Sequence, residues 1–163
     1  MMIPVHATLI PIFIMSSDLG LYDTLWVLLG PYVAFAIPIS IFTFTQFMAD
    51  IPKELEEAAQ MDGAKHWTIF SKVMFPNMKP AISTIVIYNF VHIWNEFIFA
   101  LILIQSRLSQ TLPVGLQNFY GEFSVNVPGL MATLTLASLP VIVIFIFSQE
   151  KVVKGLIGGA VKG

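Results

Sequence analysis

Cysteine is absent from this 163-residue chain, which excludes a disulfide framework, a thiolate nucleophile and any cysteine-based metal site. Charge is scarce as well: Asp, Glu, Lys and Arg supply 11% of the residues, where an ordinary soluble domain has roughly 25%. The net charge of −2 excludes the basic surface on which a nucleic-acid module depends. No glycine-rich loop is followed by Lys and Ser or Thr, so the chain has no phosphate-binding loop for ATP. In place of charge stands apolar surface, with 56% hydrophobic residues and a mean hydropathy of +0.81. So few polar side chains cannot cover a water-soluble globule, and so apolar a chain is no disordered tail. The chain belongs in a bilayer, where long charge-free runs cross as helices.

Four stretches are nearly free of charge: residues 2–15, 25–48, 81–104 and 128–148. At about 1.5 Å per residue the second and third reach roughly 36 Å, enough for a ~30 Å hydrocarbon core with some tilt. The fourth is just long enough. The first has only 14 residues, fewer than the ~17 of a minimal span. It also lacks a basic n-region, which argues against a signal peptide. It reads as the end of a helix whose beginning is missing, so the chain is expected to be a fragment.

The basic residues set the orientation. Lys53, Lys65, Lys72 and Lys79 lie in the 49–80 connection, and Lys151, Lys154 and Lys162 in the tail after Ser148. The 16–24 connection has none, and the 105–127 connection has only Arg107. The positive-inside rule therefore places the 49–80 loop and the C-terminus in the cytoplasm. Alternation of the spans agrees with that bias.

Gly30, Pro31 and Pro38 interrupt the second segment and Pro140 the fourth, as kinks of a packed bundle or as points of flexure. The third segment carries Tyr88, Asn89, His92, Asn95 and Glu96, which a continuous helix gathers within roughly 120° of arc. Polar groups on one face of a span point into the bundle or a wet cavity. They serve either as hydrogen-bonding glue between helices or as the lining of a solute pathway. Catalysis has little support: His92 and Glu96 are four apart without an HExxH pattern, and His6 and His66 lie in other segments.

The 49–80 loop is the most distinctive part. Pro52 suits the first turn of a helix, and Glu54, Glu56 and Glu57 favour its N-terminal end. Leu55, Ala58 and Ala59 share one face, and the alanines permit close approach by a partner. Gly63 turns the chain into a second amphipathic stretch, with Trp67, Phe70 and Met74 on one side, which ends before Pro76 and Pro80. Two short helices of this kind lie flat in lipid headgroups or dock in a groove of a cytoplasmic protein.

Glu57-Ala58-Ala59, then Gly63, then Val73-Met74-Phe75-Pro76 resembles the EAA loop of bacterial and archaeal ABC-importer permeases, with Val73 and Phe75 departing mildly in the two aliphatic slots. Trp94-Asn95-Glu96-Phe97, Thr111-Leu112-Pro113-Val114-Gly115-Leu116 and the terminal Gly159-Ala160-Val161-Lys162-Gly163 resemble one subgroup, the second permease subunit of carbohydrate importers of the maltose-transporter type. The match runs from about Leu25 to the last residue. Complete subunits of that kind have further helices at the N-terminus, so the resemblance also implies a truncated chain.

The resemblance implies an all-α membrane protein, a MetI-like bundle with about four transmembrane segments in this chain. Residues 1–163 would form one partial permease domain, 49–80 its cytoplasmic coupling loop and 149–163 a cytoplasmic tail. Glu57, Ala58, Ala59, Gly63 and Pro76 would then couple to an ATPase, while Asn89, His92, Asn95 and Glu96 are the pathway candidates. The implied partners are a second permease subunit, two ATP-binding cassette subunits and an extracellular solute-binding protein, in the cytoplasmic membrane of a bacterium or archaeon. ATP and magnesium would sit on the ATPases, leaving this chain without catalytic residue, cofactor or metal. The expected function is translocation in an ATP-driven importer for sugars. The alternatives are a permease for a polyol, glycerol phosphate or peptide, and a non-transport membrane subunit.

Overall fold

The computed structural model describes residues 4–121 and 124–160, with side chains as far as Ser148. The ends of the first apolar segment and of the terminal motif, residues 1–3 and 161–163, lie outside that description, as do the side chains of Lys151 and Lys154. Among the described residues the regular structure is helical, apart from a single antiparallel bridge between Tyr120 and Val125. A 3-10 turn, Val5–Thr8, enters α1, Leu9–Asp18, and another, Leu25–Leu28, enters α2, Leu29–Ala49. The loop helices are α3, Lys53–Met61, and α4, His66–Ile69, which runs on through a π-turn, Phe70–Met74, into α5, Phe75–Asn77. Then come α6, Lys79–Trp94, α7, Ile98–Leu103, α8, Leu112–Gly115, a 3-10 turn Leu116–Phe119, and α9, Val127–Ala160.

Two of these helices are long and apolar enough to cross a bilayer in one piece, Leu25–Ala49 and Val127–Ser148. Only 17% and 6% of their most apolar stretches are buried, so their side chains face outward as a lipid-facing surface requires. Pro31 stands in the first turn of α2, where a missing N–H is tolerated, and Pro38 is inside the helix. The third apolar segment differs from the continuous helix expected over residues 81–104. It breaks at Asn95–Glu96–Phe97 into α6 and the six-residue α7.

The chain divides into two compact units whose boundaries cut α2, α6 and α9: Met1–Ile37 with Phe90–Val143, and Pro38–Asn89 with Ile144–Gly163. In the first unit the core surrounds α7. Phe99, Ala100, Leu103 and Ile104 are buried with Val27, Leu28 and Val114, and α1, Tyr32 and Phe35 pack against them. The reason for the break lies in Glu96. Its carboxylate accepts the Phe99 N–H on Oε1 at 2.8 Å and the Ala100 N–H on Oε2 at 3.2 Å, so it caps α7 from the side. The Tyr32 hydroxyl donates to Oε2 at 2.9 Å from 64 positions away in sequence. A helix start leaves N–H groups without intrahelical partners, and here one carboxylate satisfies two of them.

The connections at that end of the unit are also tied. Helix α1 closes on Gly20, at φ +66°, with the Gly20 and Leu21 N–H groups bound to Ser17 O and Ser16 O at 3.0 and 2.9 Å. That pairing is a Schellman end, which an L side chain at Gly20 would strain. Asp23 itself adopts φ +61° and is held there: its Oδ1 accepts the Gln105 and Ser106 N–H groups at 2.8 and 2.7 Å, while its own N–H donates to Leu103 O at 3.0 Å. Asn126 caps α9, its Oδ1 accepting the Gly129 N–H at 3.1 Å. The Trp94 indole donates to Ala137 O at 3.1 Å, in the stretch of α9 just ahead of Pro140.

In the second unit, Ala81 and Ile85 of α6 are buried with Ile69 and Met78 from the loop side. Asn89 donates from Nδ2 to the Ser40 hydroxyl of α2 at 3.0 Å.

Two outcomes are expected of the full-length protein in its assembled complex. Replacing Asp23 by Ala removes a charged acceptor from two backbone donors and leaves a strained φ, a loss of about 2 kcal/mol or more. Asp23→Asn keeps an acceptor and tolerates that φ, so thermal melting should rank wild type above D23N above D23A; identical melting of all three would refute the clamp. At the helix break, Glu96→Ala strands two N–H groups at about 1–3 kcal/mol each, Glu96→Gln strands fewer, and Tyr32→Phe removes one bond. Folded yield should fall in the order Y32F, E96Q, E96A, and a fully folded E96A would show that the cap is dispensable.

Candidate functional site

Two sets of residues are candidates, the 49–80 loop and the polar residues of the third segment. In the loop, α3 begins directly after Pro52 with Glu54 and Glu56 in its first turn, as its acidic start predicts, and contains no buried residue. Glu57 and Ala58 are exposed and Ala59 is half-buried. The helix ends on Gly63 at φ +77°, with the Gly63 N–H on Gln60 O at 2.9 Å and the Ala64 N–H on Ala59 O at 3.0 Å. These two bonds complete a second Schellman end. Beyond its chain neighbours nothing lies within 4 Å of where a Cβ on Gly63 would stand, so glycine is favoured there by backbone conformation and not by space.

Beyond the turn, Trp67 stacks obliquely on Phe70 with centroids 5.7 Å apart. The stretch Phe70–Met74 is π-helical, a detail that α-helical spacing does not announce. The Phe70 ring lies 6.2 Å from the Phe75 ring. Pro76 follows at the start of α5 and is exposed. Met61 and Trp67 are 89% and 75% exposed, and with half-covered Leu55 they leave the loop with outward apolar side chains between acidic ones.

The polar residues of the third segment do not all lie on one helix. Tyr88, Asn89 and His92 are on α6, but Asn95 and Glu96 lie past its last residue, so the 120° arc of a continuous helix does not place them. Asn89 and Tyr88 belong to one unit and His92, Asn95 and Glu96 to the other. Asn89 and Tyr88 line a small cavity of about 80 Å³ together with Ser40, Thr43 and Thr84. Asn95 is exposed and folds its amide back to Val91 O at 2.7 Å. His92 is exposed, and Glu96 is half-buried with both oxygens engaged on Tyr32, Phe99 and Ala100. Among the described residues no group of His, Asp and Glu is placed to hold a metal ion.

Sequence reasoning missed Tyr32 and Asp23. The signal for Tyr32 was available in principle, since a phenol inside a charge-free span needs a hydrogen-bond partner. Nothing local to Asp23 announces that its carboxylate is met by N–H donors from a connection 82 positions on.

Comparison with known proteins bears on the whole chain. A protein of Caldicellulosiruptor sp. (strain Rt8B.4) named as an ABC transporter permease is 47% identical over all 163 residues, which cover 59% of that protein. The melibiose/raffinose/stachyose import permease protein of Bacillus subtilis is 37% identical, with 100% of this chain and 59% of the relative covered. The crystal structure of a bacterial ABC transporter involved in the import of the acidic polysaccharide alginate superposes with a TM-score of 0.65 at 28% identity, over 90% of this chain and 59% of that one. The chain thus spans somewhat more than half the length of the proteins it matches. Residues 1–158 match the family model described as the binding-protein-dependent transport system inner membrane component, and the chain belongs to that family of membrane proteins.

Proposed function

We propose that this chain is part of the translocation subunit of an ATP-driven importer for sugars. The observation that carries the reading is the 49–80 loop. It is a short helix with an acidic start, no buried residue and a fixed Schellman end, followed by exposed aromatic side chains, in a chain of this family. An exposed amphipathic helix with small residues on one face suits a groove on another protein. The partner is an ATP-binding cassette subunit, present as a pair that holds the ATP and magnesium, so ATP hydrolysis is separate from this chain. A second permease subunit completes the pathway, and an extracellular solute-binding protein delivers the solute. The lysine distribution supports a cytoplasmic 49–80 loop and tail. The sugar class rests on what the relatives' names state, melibiose, raffinose and stachyose in one case and alginate in the structure.

In this mechanism ATP-driven closure of the ATPase pair pushes the coupling helices, and rigid-body rocking of the helix bundles exposes the cavity to one side and then the other. Glu57, Ala58, Ala59, Gly63 and Pro76 transmit the motion. Asn89, His92, Asn95 and Glu96 remain the pathway candidates, and in that set Glu96 has its carboxylate already committed to the α7 backbone.

The test is uptake by the full-length subunit reconstituted with its partners in liposomes. ATP-dependent accumulation of neutral oligosaccharides supports the reading, and none for any of a broad sugar panel refutes it. Ala59→Trp should lower uptake at least severalfold while membrane insertion stays normal. Gly63→Val forces a β-branched residue to positive φ, at about 1–2 kcal/mol, whereas Asn tolerates that conformation. Uptake by G63N should therefore exceed uptake by G63V, and equal rates would remove the turn from the coupling path. For the polar residues, Asn89→Cys and Asn95→Cys introduce thiols into a chain that has none. Labelling by a polar thiol reagent that varies with transport state marks a pathway, and inert thiols with normal transport assign these residues to packing.

A further inference from the structure

The charge of the 49–80 loop changes sign at Gly63. Asp50, Glu54, Glu56, Glu57 and Asp62 precede it, with Lys53 as the single base among them. Lys65, Lys72 and Lys79 follow it, and no Asp or Glu occurs between Asp62 and Glu96. The Schellman end of α3, at φ +77°, separates the two halves. The acidic half carries Ala58 and Ala59, the small face that suits a protein groove.

The basic half has an inner and an outer side. Ile69 and Met78 are buried. Trp67, Phe70 and Phe75 are exposed and form a row, with successive centroids 5.7 and 6.2 Å apart. Lys65, Lys72 and Lys79 are exposed as well. Tryptophan with lysines around it, on a short amphipathic stretch free of carboxylates, is the composition that lies in a headgroup layer. Each lysine near an anionic bilayer surface favours contact by about fivefold. The position in the chain agrees, since Lys79 opens α6, where the third apolar segment starts. At about 1.5 Å per helical residue, Trp67 stays within roughly 20 Å of that point. The same surface repels the acidic half, so the turn at Gly63 separates stretches that need different partners.

We propose that residues 65–79 are an interfacial anchor that binds anionic phospholipid at the bilayer face where α6 begins, whatever solute the protein carries. The rings of Trp67, Phe70 and Phe75 sit at headgroup depth, and Lys65, Lys72 and Lys79 pair with lipid phosphates. Anchored in this way, the basic half holds α3 at a set height above the bilayer.

The experiment reads Trp67 in the complete transporter in vesicles, as the fluorescence that Trp67→Phe removes, which cancels every other tryptophan. Brominated phosphatidylcholine and brominated phosphatidylglycerol, each diluted into unbrominated phosphatidylcholine, are the quenching probes. At equal content the anionic probe should quench the Trp67 signal severalfold more than the neutral one. Lys65→Gln with Lys72→Gln, each variant compared with its own W67F version, should cut that excess about fivefold or more while quenching by the neutral probe persists. Lys→Arg at both positions should preserve the excess. Salt at about 1 M, where screening acts within ~3 Å, should have the effect of the glutamines. A Trp67 signal that neither brominated lipid quenches overturns the anchor. Aqueous iodide then separates the two remaining locations: quenching places Trp67 in water, and resistance places it against another protein. Equal quenching by both lipids, or an excess that survives K65Q with K72Q, overturns the recognition of anionic lipid. None of these readouts requires transport, so their failure leaves the importer reading intact, and absence of sugar uptake leaves the anchor intact.

Discussion

A carboxylate that replaces water at a helix start organises the first unit. Where α6 stops and α7 begins, the Phe99 and Ala100 N–H groups would face apolar surroundings without partners, and Glu96 takes both. A charge so placed is itself expensive to desolvate, and the Tyr32 hydroxyl adds a third donor to it. Because the break is satisfied from within, α7 needs no solvent and sits among Val27, Leu28 and Val114 at the centre of the unit. The two long apolar helices show the opposite pattern, with few of their side chains buried.

The second unit depends on a backbone constraint in place of a charge. Its loop has to present a short helix at a defined angle with almost no core to hold it. The Schellman end at Gly63 fixes that angle by two hydrogen bonds and a positive φ, and ring contacts from Trp67 to Phe75 stiffen the stretch beyond the turn. Apolar side chains left outward on such a scaffold suit the docking role proposed for the loop.

Much of this was legible in residues 25–48, 128–148 and 49–80. Length and hydropathy alone locate the two long spans, since composition over 20 or so residues averages out local detail. The acidic start of α3 and the turn at Gly63 are local codes, each read within a few positions, and the EAA-type spacing and the Trp94–Phe97 motif pointed to the family that the chain belongs to. The break at Asn95–Phe97 was not legible, because Asn and Glu are admissible in a helix and one of the partners that hold the Glu96 carboxylate, Tyr32, lies 64 residues away. Placing Glu96 on a helical wheel failed for the same reason. The π-turn was hidden too, since Phe70 and Met74 also satisfy α-helical spacing.

That wider turn bears on how the chain tolerates change in length. A π-turn carries one residue more than the α-helical turn it replaces. Loss of a single residue between Phe70 and Met74 therefore does not sever the helix; it closes the turn to ordinary α geometry, in which four residues at about 100° each sweep nearly the arc of the five in the wider turn. Trp67 and Pro76, at opposite ends of the turn, would keep nearly the same relative bearing while the segment shortens. The wide turn after Gly63 is thus a place where the chain absorbs a one-residue change in length without re-aiming the surface that the loop presents.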